Sequence, residues 1–367
     1  MRAKICHMSS VHKPDDPRIF RKQCCSLAAE GYDVHYVVRQ DGDDEAFGVK
    51  RWGVPLGGGR LRRMTRSVFD VFRKARDLEA DLYHFHDPEL LPAALALKVR
   101  GARVIFDSHE DVPRQLISKD WIHSWLRGPI AMTSEVIENL GVRALDGVIG
   151  ATPFIAKRFA DLGINAVAVN NFPILGELDV LEPNWSAKKR QVCYVGFLTE
   201  IRGVRKMVEA AGHGNVPLKM AGPFSPVSLR EEVMAMPGIS NVDVLGVIDR
   251  PVVAELLASS IAGIVVFSEQ PNHINSQPNK LFEYMAAGIP VVASHFPMWR
   301  DLVEGENVGI CVDPESPAEI SGAMTRLADD LDLAEAMGRR GQTLVRERCN
   351  WQIEEKTLFA FYERLLA

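Results

Sequence analysis

The passage at residues 276–294, SQPNKLFEYMAAGIPVVAS, places a carboxylate, an ammonium group and free backbone amides in one short segment. Its pattern predicts a loop, then a helix of about two turns that stops at Gly288, then a buried strand. Glu283 falls in that helix, where its carboxylate can accept hydrogen bonds from two ribose hydroxyls. Free amides near Asn279–Leu281 attract phosphate, and Lys280 adds a positive charge beside them. The segment therefore has the chemistry to hold a ribose and a phosphate.

Two other polar groups follow predicted strands. Gly196 comes directly after one strand and permits close backbone approach, and Arg202 follows at the start of a helix. A cation is unfavourable at a helix N-terminus unless an anion lies nearby, although an ordinary exposed arginine is the alternative. In the first half of the chain, His109 lies just past another strand. Its imidazole can bond a sugar hydroxyl or a developing diphosphate charge, or it can be a structural histidine.

The elements that must position these residues alternate along the whole chain. Short β-branched runs are separated by amphipathic helical stretches, which is typical of parallel sheets covered by helices. Strands are predicted at 3–9, 33–38, 81–86, 103–107, 147–151, 166–170, 191–195, 218–221, 242–245, 261–267, 290–293 and 309–312. A stretch rich in proline and glycine between Phe172 and Lys189 is the best linker candidate. Doubly wound sheets bind ligands at the carboxyl ends of their strands, so we expect the chemistry in those loops.

The composition limits the classes of function. A chain of 367 residues exceeds a usual single domain, so two domains are expected. The formal net charge of −5 argues against a general nucleic-acid binder. The six cysteines are scattered without a CxxC pair, which indicates reduced, buried thiols and no structural metal. No signal segment and no apolar stretch of ~20 residues is present, so we expect a cytoplasmic protein.

The passage around Glu283, and with it nearly the whole chain, resembles the retaining glycosyltransferases of the GT4 group, which have the GT-B fold. The resemblance implies an α/β architecture of two Rossmann-like doubly wound domains that face each other across a cleft. It places an acceptor-binding domain at 1–180 and a nucleotide-sugar donor domain at 186–350. It also implies that a C-terminal helix at 351–367 crosses back to the first domain.

The resemblance assigns roles to residues of the second domain. The family has a motif of two glutamates separated by seven residues; here Glu283 is the second, expected to hold the ribose. The first position, near the transferred sugar in the family, is Asn275, which can hydrogen-bond a hydroxyl but cannot balance positive charge. Gly196 and Arg202 resemble the Gly-Arg … Lys-Gly phosphate clamp, with Arg202 in place of the lysine. Phe197 stands where arginine is common, so the clamp has one cation fewer.

Further positions follow from the same analogy. Backbone groups at Val247 and Ile248 are expected to hold the nucleobase, which leaves the identity of the base unreadable. The first βα loop, SSVHKPDD at 9–16, resembles a GT4 subset and would lie over the diphosphate or the acceptor. Arg18, in the helix that follows, is predicted to be a phosphate partner.

In the first domain, the family places a histidine beside the donor sugar and its phosphate, and His109 takes that position. His86 is a further candidate to line the cleft, while Asp87, directly before a proline, is interpreted mainly as a helix cap. Asp41-Gly42-Asp43 imitates the DxD metal site of another glycosyltransferase fold, but it lies in an acidic turn. We therefore assign no metal.

A basic amphipathic helix is predicted near residue 68, although the chain as a whole is acidic. Apolar residues there alternate with the cations Arg60, Arg62, Arg63, Arg66, Arg73, Lys74 and Arg76. This Arg60–Arg76 helix is a candidate for contact with an anionic membrane, and the segment 121–127 is a second one. The alternative is an ordinary helix with an apolar core face and a solvated basic face.

Together these features predict a metal-independent, cofactor-free, retaining transfer of a sugar from a nucleoside-diphosphate donor to a hydroxyl of a glycan. The acceptor is expected to be lipid-linked, in bacterial surface polysaccharide biosynthesis, with the protein cytoplasmic and peripheral on the inner face of the plasma membrane. No nucleic acid is expected as a partner. One alternative is an epimerase or hydrolase of the same fold that acts on the nucleotide sugar. Another is a catalytically silent nucleotide-sugar-binding subunit of an assembly complex.

Overall fold

The computed structural model describes residues 2–55, 63–117, 122–178 and 183–367, without the side chains of 63 and 64. The chain divides into two compact units. The first runs to Asn171 and includes the C-terminal segment Trp351–Ala367, and the second is Phe172–Asn350. The chain therefore leaves the first unit at Asn171, before the boundary at 180 that the sequence suggested. Two parallel-sheet units and a long C-terminal helix agree with the expected α/β architecture.

The first unit contains one sheet with the strand order β3-β4-β2-β1-β5-β6-β7-β8. Its strands are β1 (Lys4–Met8), β2 (Asp33–Arg39), β3 (Asp44–Ala46), β4 (Val49–Val54), β5 (Leu82–Phe85), β6 (Arg103–Ser108), β7 (Gly147–Gly150) and β8 (Ala166–Ala168). Neighbouring strands are parallel except for β3 and β4, which form an antiparallel edge. β3 was missed from sequence because it is only three residues long and lies in an acidic turn.

Helices of the first unit connect these strands. They are α1 (Pro17–Cys24, of π type), α2 (Cys25–Ala29), α3 (Val68–Asp77), α4 (Leu91–Val99), α5 (Val112–Ile117), α6 (Ser124–Val142), α7 (Pro153–Ala160) and, from the C-terminus, α15 (Trp351–Leu366). Leu358 and Phe361 of α15 are fully buried. Glu354 of α15 accepts hydrogen bonds from the backbone and side-chain amides of Asn170, at 2.7 and 2.9 Å. These contacts attach the end of the chain to the first unit.

The second unit has a fully parallel sheet with the order β11-β10-β9-β12-β13-β14. Its strands are β9 (Val192–Val195), β10 (Leu218–Ala221), β11 (Val242–Gly246), β12 (Ala262–Val265), β13 (Val291–Ser294) and β14 (Gly309–Val312). Its helices are α8 (Val204–His213), α9 (Leu229–Met234), α10 (Arg250–Ser259), α11 (Asn279–Ala286), α12 (Pro297–Val303), α13 (Pro317–Asp329) and α14 (Leu331–Glu347). The strand order reverses direction between β9 and β12, a switch point where ligands bind in such sheets.

At several helix N-termini, the polar residue before a proline caps the helix. The side chain of Asp16 accepts hydrogen bonds from the backbone amides of Arg18 and Ile19, and Thr152 and Ser316 cap their helices in the same way. Asp87 is different, because its side chain forms no cap bond to the helix that follows it. The interpretation of Asp87 mainly as a cap is therefore wrong.

The cores lie on both faces of each sheet. Buried apolar side chains of the strands pack against helices such as α4 and α7 in the first unit and α8, α11 and α13 in the second. Each fully buried aliphatic side chain contributes about 1.5–3 kcal/mol relative to exposure. In the ranges that the structure describes, no helix is both long enough and apolar enough to cross a bilayer.

Candidate functional site

The loop after β9 carries the first group of site residues. Gly196 has a φ of +143°, and a Cβ built on it would lie 2.3 Å from Cε of Lys280. Lys280 belongs to the first turn of α11, which begins after Pro278. The hydroxyl of Tyr284, one turn further on, accepts a hydrogen bond from the backbone amide of Val195 at 2.9 Å. The glycine and the tyrosine thus bring the N-terminus of α11 against the end of β9.

Two cations share this region. Burial and, after it, the nearby positive charge of Arg202 together lower the pKa of Lys280 to about 8. The guanidinium of Arg202 lies 5.7 Å from the ring centroids of Phe197 and of Phe267. Within the described ranges, neither Lys280 nor Arg202 forms a salt bridge. Two repelling cations beside a helix N-terminus are the electrostatic environment that an anion such as a diphosphate requires.

Glu283 follows Lys280 at the i+3 position, so both side chains lie on one side of α11. Its carboxylate accepts a hydrogen bond from Arg250 at 2.9 Å, and Arg250 also pairs with Glu177 at 3.0 Å. The side chain of Glu283 remains 20% exposed. Because Arg250 contacts Oε1, the carboxylate is oriented but still reachable.

Gly222 and the predicted residues Val247, Ile248 and Asn275 lie in loops near the same sheet edge. Gly222 has a φ of +140°, and a Cβ there would lie 2.0 Å from the carbonyl oxygen of Gly196. Val247, after β11, is 77% exposed, whereas Ile248 is partly buried against the core. Asn275 is partly buried in the turn before α11. None of these positions shows a bond that would exclude its predicted role.

In the first unit, His109 follows β6 and meets two buried groups. Its Nε2 lies 3.2 Å from Oδ2 of Asp107 and 3.1 Å from Nδ1 of His86. The His109 side chain is 16% exposed, while Asp107 is fully buried. The carboxylate therefore fixes the orientation of an imidazole that is still accessible.

Arg18 contacts Asp107 from the other side. Its Nε and one terminal nitrogen donate to the two carboxylate oxygens at 3.1 and 2.7 Å, and the other donates to the Val169 carbonyl at 2.8 Å. Burial alone would raise the pKa of Asp107, but Arg18 and then His109 hold that pKa well below its usual range. Arg18 is 4% exposed and three of its N–H donors are engaged, so it differs from the phosphate partner that the sequence suggested.

A chain of close ring nitrogens runs inward from His109. Nε2 of His86 lies 2.9 Å from Nδ1 of His7, and His7 and His84 both approach the hydroxyl of Tyr362 in α15, at 3.4 and 2.6 Å. Burial lowers the pKa of His86 to about 4 and lowers those of His7 and His84 as well. These three imidazoles are therefore neutral at physiological pH.

His12 behaves in the opposite way. Its Nδ1 lies 3.0 Å from Asp16 and its Nε2 3.4 Å from Asp87. Burial alone would lower its pKa, but the bond to Asp16 and the charge of Asp87 raise it. Asp87 also accepts hydrogen bonds from Ser9 Oγ at 2.7 Å and from the Ser10 backbone amide at 2.6 Å. These bonds join the loops after β1 and β5, the switch point of this sheet.

Comparison with protein families divides the chain close to the boundary between the two units. Residues 18–173 match a model described as a glycosyl transferase 4-like domain, and residues 180–344 match the model of glycosyl transferases group 1. The chain belongs to the group 1 glycosyltransferases. A search of curated proteins finds no significant match for this glycosyltransferase.

Solved structures with the same fold cover almost the whole glycosyltransferase. Sucrose-phosphate synthase of Thermosynechococcus elongatus is 17% identical, with a TM-score of 0.81 and 99% of each chain covered. HepE of Anabaena in complex with UDP-glucose is also 17% identical, with a TM-score of 0.73 and coverage of 98% of this chain and 100% of the other. WaaG, involved in lipopolysaccharide biosynthesis, is 14% identical, with a TM-score of 0.73 and coverage of 96% and 98%. These neighbours establish the GT-B fold.

Two groups of side chains in the glycosyltransferase have metal-ligand spacing among the described residues. They are His7, His84 and His86, and His86, Asp107 and His109, with ligand atoms within 4.8 Å of one another. In both groups most of these atoms already contact one another, and Asp107 is paired with Arg18. His84 Nε2 alone among them is buried without a hydrogen bond, 4.0 Å from Asp107. The prediction of no metal remains a prediction.

The two membrane candidates are only partly described. Arg60 and Arg62 lie outside the described residues, whereas Arg66 is exposed and Lys74 pairs with Asp43 at 2.5 Å. Of the segment 121–127, Trp121 is also outside the described residues, and Trp125 is 74% exposed at the start of α6.

Sequence reasoning missed several residues of the first unit. His7 and Asp107 were assigned no role, and His12 only that of its loop, although His7 contacts His86, Asp107 contacts His109, and His12 contacts Asp87. Each of the three lies at the carboxyl end of a strand or in the loop after it, and that was the available signal.

Proposed function

We propose that this glycosyltransferase moves a sugar from a nucleoside-diphosphate donor to a hydroxyl of a lipid-linked glycan, with retention of anomeric configuration. The observation that carries the proposal is a pair of neighbouring cations at the switch point of the second sheet: Lys280, one turn before Glu283 in α11, and Arg202. A diphosphate balances the two charges, and the carboxylate accepts the hydroxyls of the attached ribose.

The proposal assigns the following roles to the predicted residues. Arg202, Lys280 and the first amides of α11 stabilise the leaving diphosphate, a role that a metal ion fills elsewhere, so the transfer needs no metal or other cofactor. Backbone groups at Val247 and Ile248 hold the nucleobase. His109 and Asn275 orient the transferred sugar, while Arg18 supports His109 through Asp107.

The partners follow from the relatives. HepE of Anabaena has been crystallised with UDP and with UDP-glucose, which makes UDP the first nucleotide to test. WaaG acts in lipopolysaccharide biosynthesis, which supports a role in building a bacterial surface polysaccharide. We place the protein in the cytoplasm, peripheral on the inner face of the plasma membrane, with the Arg60–Arg76 helix as one candidate contact.

Thermal stabilisation by UDP, GDP, ADP and dTDP, with and without EDTA, tests the donor site. Ligand at about 100 times its dissociation constant adds about 2.7 kcal/mol of stability. We expect a shift with one nucleotide that EDTA leaves unchanged and that Glu283→Ala removes. Glu335→Ala, which breaks an exposed arginine pair on α14, is the matched control and keeps the shift. No shift with any nucleotide contradicts the proposal.

Turnover then separates transfer from its alternatives. The enzyme should consume donor only when a glycan acceptor is present, and proton NMR of the product should show the anomeric configuration of the donor. Consumption of donor without acceptor would indicate an epimerase or hydrolase. Binding without turnover across a broad acceptor panel would indicate a silent subunit.

A further inference from the structure

The longest helix of the first unit exposes an apolar face. Six large apolar side chains of α6 are between 39% and 74% exposed: Trp125, Ile130, Met132, Val136, Ile137 and Leu140. Trp125, Met132, Val136 and Leu140 follow the i, i+7, i+11, i+15 spacing of one helical stripe. We call these six residues the outer face of α6.

The two carboxylates of α6 are paired with arginines of neighbouring helices. Glu135 pairs with Arg114 of α5 at 2.6 Å, and the buried Glu138 pairs with Arg158 of α7. A surface helix normally directs its apolar stripe to the core and its charges to water. On α6 the buried residues are Ala131, Glu138 and Val142, so the side that packs on the unit includes a carboxylate, while large apolar side chains are exposed on the other side.

The outer face also lacks polar groups that need water. Thr133 lies among the apolar residues, but its hydroxyl donates a hydrogen bond to the Pro129 carbonyl within the helix, at 2.8 Å. In α6, which the structure describes completely, the more exposed of the two carboxylates is Glu135, at 31%, and it is paired with Arg114. Arg143, just past its C-terminal end, is exposed and positive. Such a surface can enter an apolar phase beside anionic headgroups without burying an unpaired charge.

We infer that the outer face of α6 lies in the interfacial region of a lipid bilayer. Six side chains on one helix are far fewer than the roughly 20–30 residues per partner of a stable protein interface, so a second copy fits poorly. An interfacial helix needs no such area, and tryptophan is enriched at the boundary between headgroups and acyl chains. This inference specifies the membrane contact of the proposed function and assigns it to α6 instead of the basic helix α3.

The two surfaces differ in their response to salt. Attraction of arginines on α3 to an anionic leaflet falls within a Debye length, about 3 Å at 1 M salt. Burial of the outer face of α6 depends on apolar area and persists at that salt concentration. Salt dependence therefore distinguishes the two routes in the same protein.

The test is sedimentation of the full chain with vesicles of phosphatidylcholine, alone or mixed with phosphatidylglycerol, at low salt and at about 1 M salt. We expect wild-type binding to both compositions that largely survives high salt. Val136→Glu should weaken binding about tenfold or more, since burying an aliphatic side chain contributes at least about 1.5 kcal/mol. Val227→Glu, at a residue 79% exposed in the second unit, is the matched control and should bind as wild type.

Three results would overturn the inference: no vesicle binding by wild type, equal binding by Val136→Glu, or complete release at high salt. Light scattering after gel filtration measures the oligomeric state of the wild type and of Val136→Glu. A wild-type dimer that Val136→Glu dissociates, without vesicle binding, would assign the face to a second copy and also overturn it. Nucleotide-induced thermal stabilisation is measured in parallel. If no nucleotide stabilises the wild type, the donor proposal is contradicted and the membrane inference is not affected.

Discussion

Gly196 and Lys280 fit together only because residue 196 has no side chain. A Cβ atom on Gly196 would lie 2.3 Å from Cε and 2.5 Å from Nζ of Lys280, and the φ of +143° disfavours other residues. This contact positions the ammonium group at the end of β9, beside the N-terminus of α11. The loop glycine therefore determines where a cation of the site lies.

Gly196→Ala should weaken nucleoside diphosphate binding about tenfold or more, because Lys280 must move and one charge-assisted contact of about 1.5–3 kcal/mol is lost. Isothermal titration measures the affinity. Gly163→Ala is the matched control, since Gly163 also has a positive φ but open space around it. Both variants should lose about 1–2 kcal/mol of stability from backbone strain. Equal affinity in Gly196→Ala and wild type would show that Lys280 does not contact the ligand.

Lys280→Met should stabilise the free protein and impair binding. Burial and the charge of Arg202 lower the pKa of Lys280 to about 8, so its charged form is disfavoured at pH 7 by on the order of 3 kcal/mol. Removing the charge relieves that cost, which urea denaturation at pH 7 measures. In the wild type, affinity for nucleoside diphosphate should fall as pH rises through about 8, because the ammonium group loses its proton. Lys280→Met should lack this pH dependence; a stability lower than wild type would contradict the interpretation.

Asp107→Asn should destabilise the first unit by about 3–5 kcal/mol, because it leaves the buried guanidinium of Arg18 without its partner. The double variant Arg18→Met/Asp107→Leu should lose less stability than the sum of the losses in the single variants Arg18→Met and Asp107→Leu, since the pair is removed together. Chemical denaturation of the full chain measures these differences. Arg339→Met, which breaks an exposed pair with Glu335, should cost less than about 1 kcal/mol. Additive effects of the two buried substitutions would show that Arg18 and Asp107 act independently.

The buried histidines should make the protein acid-sensitive. The folded pKa of His86 is about 4, below the ordinary value of 6.5, so the unfolded chain binds more protons between these values. The free energy of unfolding should therefore fall as pH falls from about 6.5 to 4, by up to about 1.4 kcal/mol per pH unit for each such histidine. His86→Asn should show a shallower decline in urea denaturation.

His12 provides a control of opposite sign for that pH dependence. Its folded pKa is raised, so its contribution to stability is fully present below about 6.5 and is lost as pH rises through the folded pKa. His12→Asn should therefore lower stability at pH 5.5 more than at pH 8.5. A greater loss at the higher pH would contradict the raised pKa.

The sequence by itself determined the elements and the local groups of the second unit. Alternating β-branched runs and amphipathic stretches predicted every strand of that unit, because strand and helix periods are properties of short segments. Lys280 and Glu283 were found together for the same reason, since three residues along a helix define one side of it. The sequence also indicated the α/β class and the family, which the fold and the family models confirm.

Only the tertiary structure decided the pairings between distant residues. Arg18 and Asp107 are 89 positions apart, and His7 and His86 are 79 apart, so no local pattern shows that they meet. A hydrophobic periodicity likewise cannot tell which face of α6 is buried, because the arginines that neutralise Glu135 and Glu138 come from α5 and α7. Local chemistry fixes what a segment can form, and the packing of separate segments fixes which partners its side chains have.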